Sequence, residues 1–272
     1  MITVYGATGY TGRLVCAELA KKKLPFRIAG RDEKKLKTLA QYCGNPETLV
    51  APLDDAAALR KMAESKVVLD CAGPFVLMGR PVQDAALAAG AHFLDITGEI
   101  KWMRETLGRD AEAKAKGVAL INAVGFDVVP TDCAAVLAAE AAGSPVERVR
   151  IAFATRPMKS SQGTARSAVE GMQYGSLAWE NGEWVQEPVG KEVWEVPFPD
   201  PLGRKTCVSV PWGDVATAPR STGARLVRTF MPLSPTLARL GRVFGPTMKW
   251  KHRTPPGRSR WTGCPRGRRR PR

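Results

Sequence analysis

The strongest constraint on the fold of this chain is a glycine loop set directly behind its first strand. Ile2 to Tyr5 is apolar and β-prone, and it runs into Gly6, Ala7, Thr8, Gly9, Tyr10, Thr11 and Gly12, after which Arg13 to Lys23 reads as a helix. Strand, glycine loop and helix in that order form the first half of a βαβ unit built to hold a dinucleotide. Gly6 makes the tight turn off the strand, Gly9 leaves the backbone open to a pyrophosphate, and Gly12 lets the helix pack close on the sheet. The amides at the helix start would then hold the phosphates.

The second strand sharpens the reading. Phe26 to Ala29 leads into Gly30 and Arg31, the position at which such a unit meets the adenosine ribose. An acid there favours NAD by accepting from the 2′-hydroxyl, whereas a guanidinium pairs with a 2′-phosphate, so Arg31 argues for NADP(H). Lys34 and Lys35, one turn on, add positive charge near the same phosphate. Asp32 can orient Arg31 or reach a ribose hydroxyl itself.

Strands and helices alternate through the first half. Helices are predicted over 33–42, 56–64, 81–89 and 100–116, and strands over 48–53, 66–71, 92–96 and 118–123, the third strand ending at Asp54 and Asp55. This pattern predicts an α/β fold: an N-terminal Rossmann domain with a doubly wound parallel sheet over residues 1–130. An Ala-rich helix from 131 to 142 opens a second, smaller α/β domain for the substrate, over 131–250. Its strands are predicted at 149–155, 191–196 and 205–210, where β-branched and aromatic residues alternate with Pro and Gly punctuation.

With 272 residues, 44% of them hydrophobic, the chain has room for two cores. No apolar run reaches the roughly 18 residues needed to span a bilayer, and the start shows no basic-then-apolar leader, so a cytoplasmic protein is expected. Cys16, Cys43, Cys71, Cys133, Cys207 and Cys264 are scattered without a CxxC pair, and with only His92 and His252 beside them they predict reduced thiols and no metal site. The net charge of +15 is mostly a feature of the C-terminus. Residues 251–272 hold nine of the 41 basic side chains and no acid, which leaves 32 bases against 26 acids before them. That distribution argues against a nucleic-acid protein. The same 22 residues lack aliphatic side chains and are expected to be a disordered basic tail, either the product of a frameshifted or truncated end or an arm for anionic partners.

The segments GATGYTGRLV (6–15), AGRDEKKL (29–36), DCAGPFVLMGRPV (70–82), FLDITGE (93–99) and VGFDVVPTD (124–132) resemble, in order and spacing, the saccharopine dehydrogenase-like oxidoreductases, most closely the branch with the trans-acting enoyl reductases. GTARS (163–167) and PWGDVATAPRSTG (211–223) extend the resemblance thinly, and members of that family usually continue further. The resemblance implies hydride transfer from NADP(H) to a C=C or C=N bond of a lipid-type or other small-molecule substrate. A non-catalytic NADP(H)-binding protein or partner subunit is the alternative, and a homodimer is left open. Cys71, Ala72, Gly73, Pro74 and Phe75 fall at the carboxyl end of the fourth strand, where ligands of such folds sit. Gly73 allows close backbone approach, Pro74 fixes the loop, and Phe75 packs beside the ribose or nicotinamide. Asp127 faces the same crevice and is the leading polar group near the nicotinamide, while Asp132 caps or begins the next helix. His92 is expected to pack. For proton transfer the candidates are Asp95, Glu99, Asp127 and Tyr174; no Tyr is followed four residues on by Lys. Ala224 to Lys251 mixes Leu226, Val227, Phe230 and Leu237 with Arg225, Arg228 and Arg239. It reads as a helix pair docked against a further C-terminal part of the family's fold, or as a basic amphipathic stretch touching a membrane surface.

Overall fold

A computed structural model describes residues 1–154 and 176–232. Its first sheet is wholly parallel, in the order β3-β2-β1-β4-β5-β6, built from β1 (Ile2–Tyr5), β2 (Phe26–Gly30), β3 (Glu47–Val50), β4 (Val67–Asp70), β5 (His92–Asp95) and β6 (Leu120–Ile121). The chain runs outward from β1 to β3, then returns to β4 on the other side of β1, so the strand order reverses between β1 and β4. This reversal opens a crevice at the carboxyl ends of the strands. In register, Tyr5, Asp70 and Asp95 stand side by side at that edge.

Helices α1 (Tyr10–Lys21), α2 (Glu33–Tyr42), α3 (Ala56–Ala63), α4 (Phe75–Ala88), α5 (Ile100–Leu107) and α6 (Asp110–Ala115) cover the two faces. One core holds Tyr5, Val68, Phe75, Val82, Phe93 and Trp102, and the other Val4, Cys16, Ile28 and Leu36. Three helical boundaries differ from the sequence expectation. α1 begins at Tyr10 because Gly9 is its N-cap. α4 begins at Phe75, six residues before the predicted start at Pro81, because Pro74 is the N-cap and the Glu99 carboxylate accepts from the amides of Phe75 and Val76. Pro81 lies inside α4, and the carbonyl it cannot serve belongs to exposed Leu77, where water can replace the missing donor. The helix predicted over 100–116 is broken at Gly108 and Arg109, whose guanidinium is drawn to Gln83, Asp84 and Glu112.

The second sheet has the order β10-β11-β12-β8-β9, made of β8 (Ser176–Glu180), β9 (Glu183–Glu187), β10 (Val193–Pro197), β11 (Arg204–Val210) and β12 (Leu226–Pro232), all antiparallel; β7 (Arg148–Ala152) pairs parallel with β12. Helices α7 (Val129–Ala142) and α8 (Asp214–Thr222) pack against it. β8, β9 and β12 were not predicted. The β8–β9 hairpin turns on Asn181 and Gly182, both at positive φ, the residue pair that a tight type I′ turn favours. β12 overturns the reading of 224–251 as an amphipathic membrane stretch or helix pair for the residues it contains. Val227 and Phe230 are fully buried, and Arg228 is gripped by Glu180, Glu187 and Glu192. Residues 233–251, the tail 251–272, GTARS and Tyr174 lie outside the described residues. Among the described residues, no helix is long and apolar enough to cross a membrane.

A small core of Met103, Ala123, Val128 and Ala216 joins the two sheets, with Leu107 and Trp184 packed against it and the Arg104 guanidinium 5.1 Å above the Trp184 ring.

Arg27, on β2, is buried and donates to Thr3 Oγ1 and to the carbonyls of Lys61, Met62 and Glu64 at the end of α3. Arg27→Met strips these acceptors of their donor. The expected result is a loss of about 3 kcal/mol in urea unfolding with the fold retained; a loss below about 1 kcal/mol would show that the helix end does not depend on it.

Candidate active site

The glycine loop forms a cradle from which side chains are excluded. A Cβ on Gly12 would lie 2.5 Å from the Gly6 carbonyl oxygen and 2.7 Å from the Ala7 Cα, and one on Gly6, whose φ is +69°, would lie 2.8 Å from Ala72. Gly9 donates to the Gly6 carbonyl, Ala7 is buried, and Thr8 and Thr11 are half-buried at the rim. Gly9 gives α1 no side-chain cap, and the first turn carries no acid, so no described side chain occupies its leading amides. Tyr10, at the same end, is exposed. The cradle therefore fits a dinucleotide pyrophosphate, which these amides would hold.

Arg31 is exposed just past β2 and makes no ion pair with a described carboxylate. Asp32 does not orient it. Its carboxylate caps α2 through the Lys35 amide and pairs with the Lys35 ammonium at 3.3 Å. Lys35 is thus partly neutralised, against the expectation that it adds free charge. Asp54 is exposed beyond β3, and its neighbour Asp55 caps α3.

At the end of β4 the Ala72 amide donates to Asp70 and the Cys71 amide to Tyr5 O. Burial pushes the Cys71 thiol and the Asp70 carboxyl far up, and the second Asp70 oxygen is buried without a partner. Gly73 and Pro74 form the loop that follows β4, and Phe75 departs from expectation. Its ring turns into the core and packs over Gly73, so it offers a cofactor no open face.

The carboxylates separate by environment. Asp95 accepts from Trp102 Nε1, Asn122 Nδ2 and the amides of Thr97 and Ala123; burial pushes its carboxyl up and the four donors oppose this. Glu99 is buried and committed to the start of α4, which corrects its expected role as a free acid. His92 accepts from the Ala119 amide and is structural. Asp127 is reached by solvent beside Gly98, and the protein around it raises its carboxyl through desolvation. No described donor bonds that carboxylate. Asp132 sits in the first turn of α7 and accepts from Thr217 and Ser221 of α8.

Sequence reasoning missed Asp214, although it lies in the PWGD run. It is fully buried, with one oxygen 2.6 Å from Thr131 Oγ1 and the other unpartnered. Burial first, then the nearby Asp132 and Asp127 charges, push its carboxyl up to about 7. Thr131 Oγ1 also stands 2.9 Å from the Val128 carbonyl, and one hydroxyl proton cannot serve both oxygens. A protonated Asp214 resolves this by donating to Thr131, which donates to Val128. Among the described residues, no cluster of His, Cys, Asp or Glu is arranged to hold a metal ion.

Residues 2–121 match the family described as the saccharopine dehydrogenase NADP binding domain. A lipid droplet localized protein of Caenorhabditis elegans is 36% identical over 145 residues, which cover 48% of this chain and 34% of that protein. The saccharopine dehydrogenase-like oxidoreductase of Mus musculus is 33% identical over 151 residues (48% and 35%), and the trans-acting enoyl reductase of Mycobacterium leprae (strain TN) 34% over 139 (48% and 33%). The matched stretch spans about a third of the length of these curated relatives. The apo saccharopine dehydrogenase (L-Glu forming) of Saccharomyces cerevisiae superposes with a TM-score of 0.61 at 16% identity, covering 90% of this chain and 57% of that one, a likeness of fold.

The Asp214 carboxyl sets a pH test. Its folded pKa of about 7 lies above the ordinary 3.8, so the folded state resists ionisation. Its contribution to stability is whole below the ordinary value, falls as pH rises towards 7, and is gone above. Asp214→Asn should remove up to about 4 kcal/mol of that decline. Urea unfolding of both proteins from pH 4 to 8 checks it, and parallel pH profiles would refute it.

Proposed function

We propose, on the premise that residues 2–121 are an NADP-binding domain of the saccharopine dehydrogenase family, that this chain is an NADP(H)-dependent oxidoreductase acting on a C=C or C=N bond of a lipid-type or other small-molecule substrate. The observation that carries the reading is the tight glycine cradle at Gly6, Gly9 and Gly12 together with the exposed guanidinium of Arg31 just past β2, which pairs with no described carboxylate. Two of the relatives, a trans-acting enoyl reductase and a lipid droplet localized protein, support the lipid class.

In this reading residues 1–130 bind the cofactor and 131–250 the substrate. The α1 amides hold the pyrophosphate and Arg31 the 2′-phosphate, with Lys34 beside it. The backbone at Cys71 to Pro74 lines the crevice towards the nicotinamide. Bound NADPH supplies a hydride. Asp127, the solvent-reached acid beside Gly98, would be the group that gives the proton completing the addition, and desolvation, which raises its carboxyl, favours the protonated form. Asp95 and Glu99 keep structural duties and give no proton.

Titration of the full chain with NADPH and NADH, on wild type and Arg31→Ala, tests the reading. NADPH is expected to bind about tenfold to a hundredfold tighter, as a guanidinium–phosphate pair would give, and the substitution to erase the difference. Equal affinities, or no binding of either nucleotide, would defeat it.

A further inference from the structure

We propose that Trp212, in the loop between β11 and α8, and Asp214, the first residue of α8, are positioning residues that hold the Asp127 loop at the nicotinamide end of the cofactor site. The inference rests on the reading of Asp127 given above. It starts from the absence of any described donor to the Asp127 carboxylate, which leaves its aim to the placement of its main chain. That main chain is gripped by residues some 80 positions away in sequence. Trp212 Nε1 donates to the Asp127 carbonyl at 2.7 Å, and the Trp212 ring lies against Phe153, with centroids 4.4 Å apart, so the indole is fixed from the second sheet. At Gly213 the two loops touch, for a Cβ there would lie 2.6 Å from Val128 Cγ2. The buried Asp214 side chain then meets Thr131, which in turn reaches the Val128 carbonyl. Residues 212–214 thus hold 127, 128 and 131 in succession, and the segment PWGD gains a role: it sets a group on the first sheet from the second.

The test separates the two ends of the cofactor. NADPH and 2′,5′-ADP, which carries the 2′-phosphate but no nicotinamide, are titrated against wild type, Trp212→Phe, Asp214→Ala and Asp214→Asn in the full chain. Trp212→Phe keeps an aromatic ring against Phe153 and removes the indole N–H. It is expected to weaken NADPH about fivefold and to leave 2′,5′-ADP unchanged, and Asp214→Ala to act in the same direction. Asp214→Asn, which can still bond Thr131, is expected to stay within about twofold of wild type. The inference is overturned if Trp212→Phe leaves NADPH affinity unchanged, or if both ligands weaken together with a lower Tm, the mark of a merely structural role. If wild type binds 2′,5′-ADP and these variants show no difference, this inference alone fails. If wild type binds neither ligand, the cofactor reading fails and this inference with it.

Discussion

Backbone packs on backbone at the carboxyl end of β1, and the rest of the first sheet is arranged around that contact. The start of α1 lies so close to the turn after β1 that a single methyl on Gly12 would overlap the Gly6 carbonyl, and a methyl on Gly6 would overlap Ala72 at the end of β4. Three segments therefore converge where no side chain fits. Two consequences follow from the one contact. The helix start carries no side-chain cap and no acid among the described residues, which leaves its first amides available to an anion. β1 also takes the central position between β2 and β4, because only a strand with neighbours on both sides brings both loops to the same point. In the proposed cofactor site, packing and phosphate binding would draw on the same short stretch of backbone.

The acids around this crevice are sorted by what surrounds them. Tyr5, Asp70 and Asp95 share a register, yet Asp70 meets one donor and Asp95 four. Four donors around a buried carboxylate build a rigid joint between β5, α5 and the end of β6, and they leave it no lone pair to give a substrate. Glu99 plays the equivalent part for α4, placing a negative charge on the positive end of a helix. With these committed, Asp127 is the acid of this group that solvent reaches. The role proposed for it follows from the occupation of its neighbours as much as from its own place.

Much of the first sheet was legible because its signals are local. The glycine spacing, the alternation of apolar strands with helices and the Arg after β2 each lie within a few residues. The start of α4 was not, since its decisive group, Glu99, lies 24 residues from Phe75. Phe75 itself shows the limit of reading a site from position alone: it follows the right loop, but its ring belongs to the core. The β8–β9 hairpin did carry a local signal, Asn181-Gly182, set between strands whose polar and aromatic residues gave weak alternation. β12 misled because Arg228 amid apolar residues suggests an interface with water or lipid. It lies within a sheet only because Glu180, Glu187 and Glu192 come to it from other parts of the chain, and ion pairing is what makes a half-buried arginine tolerable there.

The same distance in sequence explains why the Asp127 loop needs a second sheet at all. Gly125, Phe126 and Asp127 follow a two-residue strand at the edge of the first sheet, with a partner on one side only. An edge that short gives few hydrogen bonds with which to fix a loop. Phe126 is exposed, so apolar burial does not anchor it either. What fixes the loop is Val128, buried in the small core with Met103, Ala123 and Ala216, and the pair of contacts from Trp212 and Asp214. Three of these anchors come from the segment carrying α8. The junction between the sheets therefore does more than tether two halves, because the weakest edge of the first sheet acquires its shape from the second.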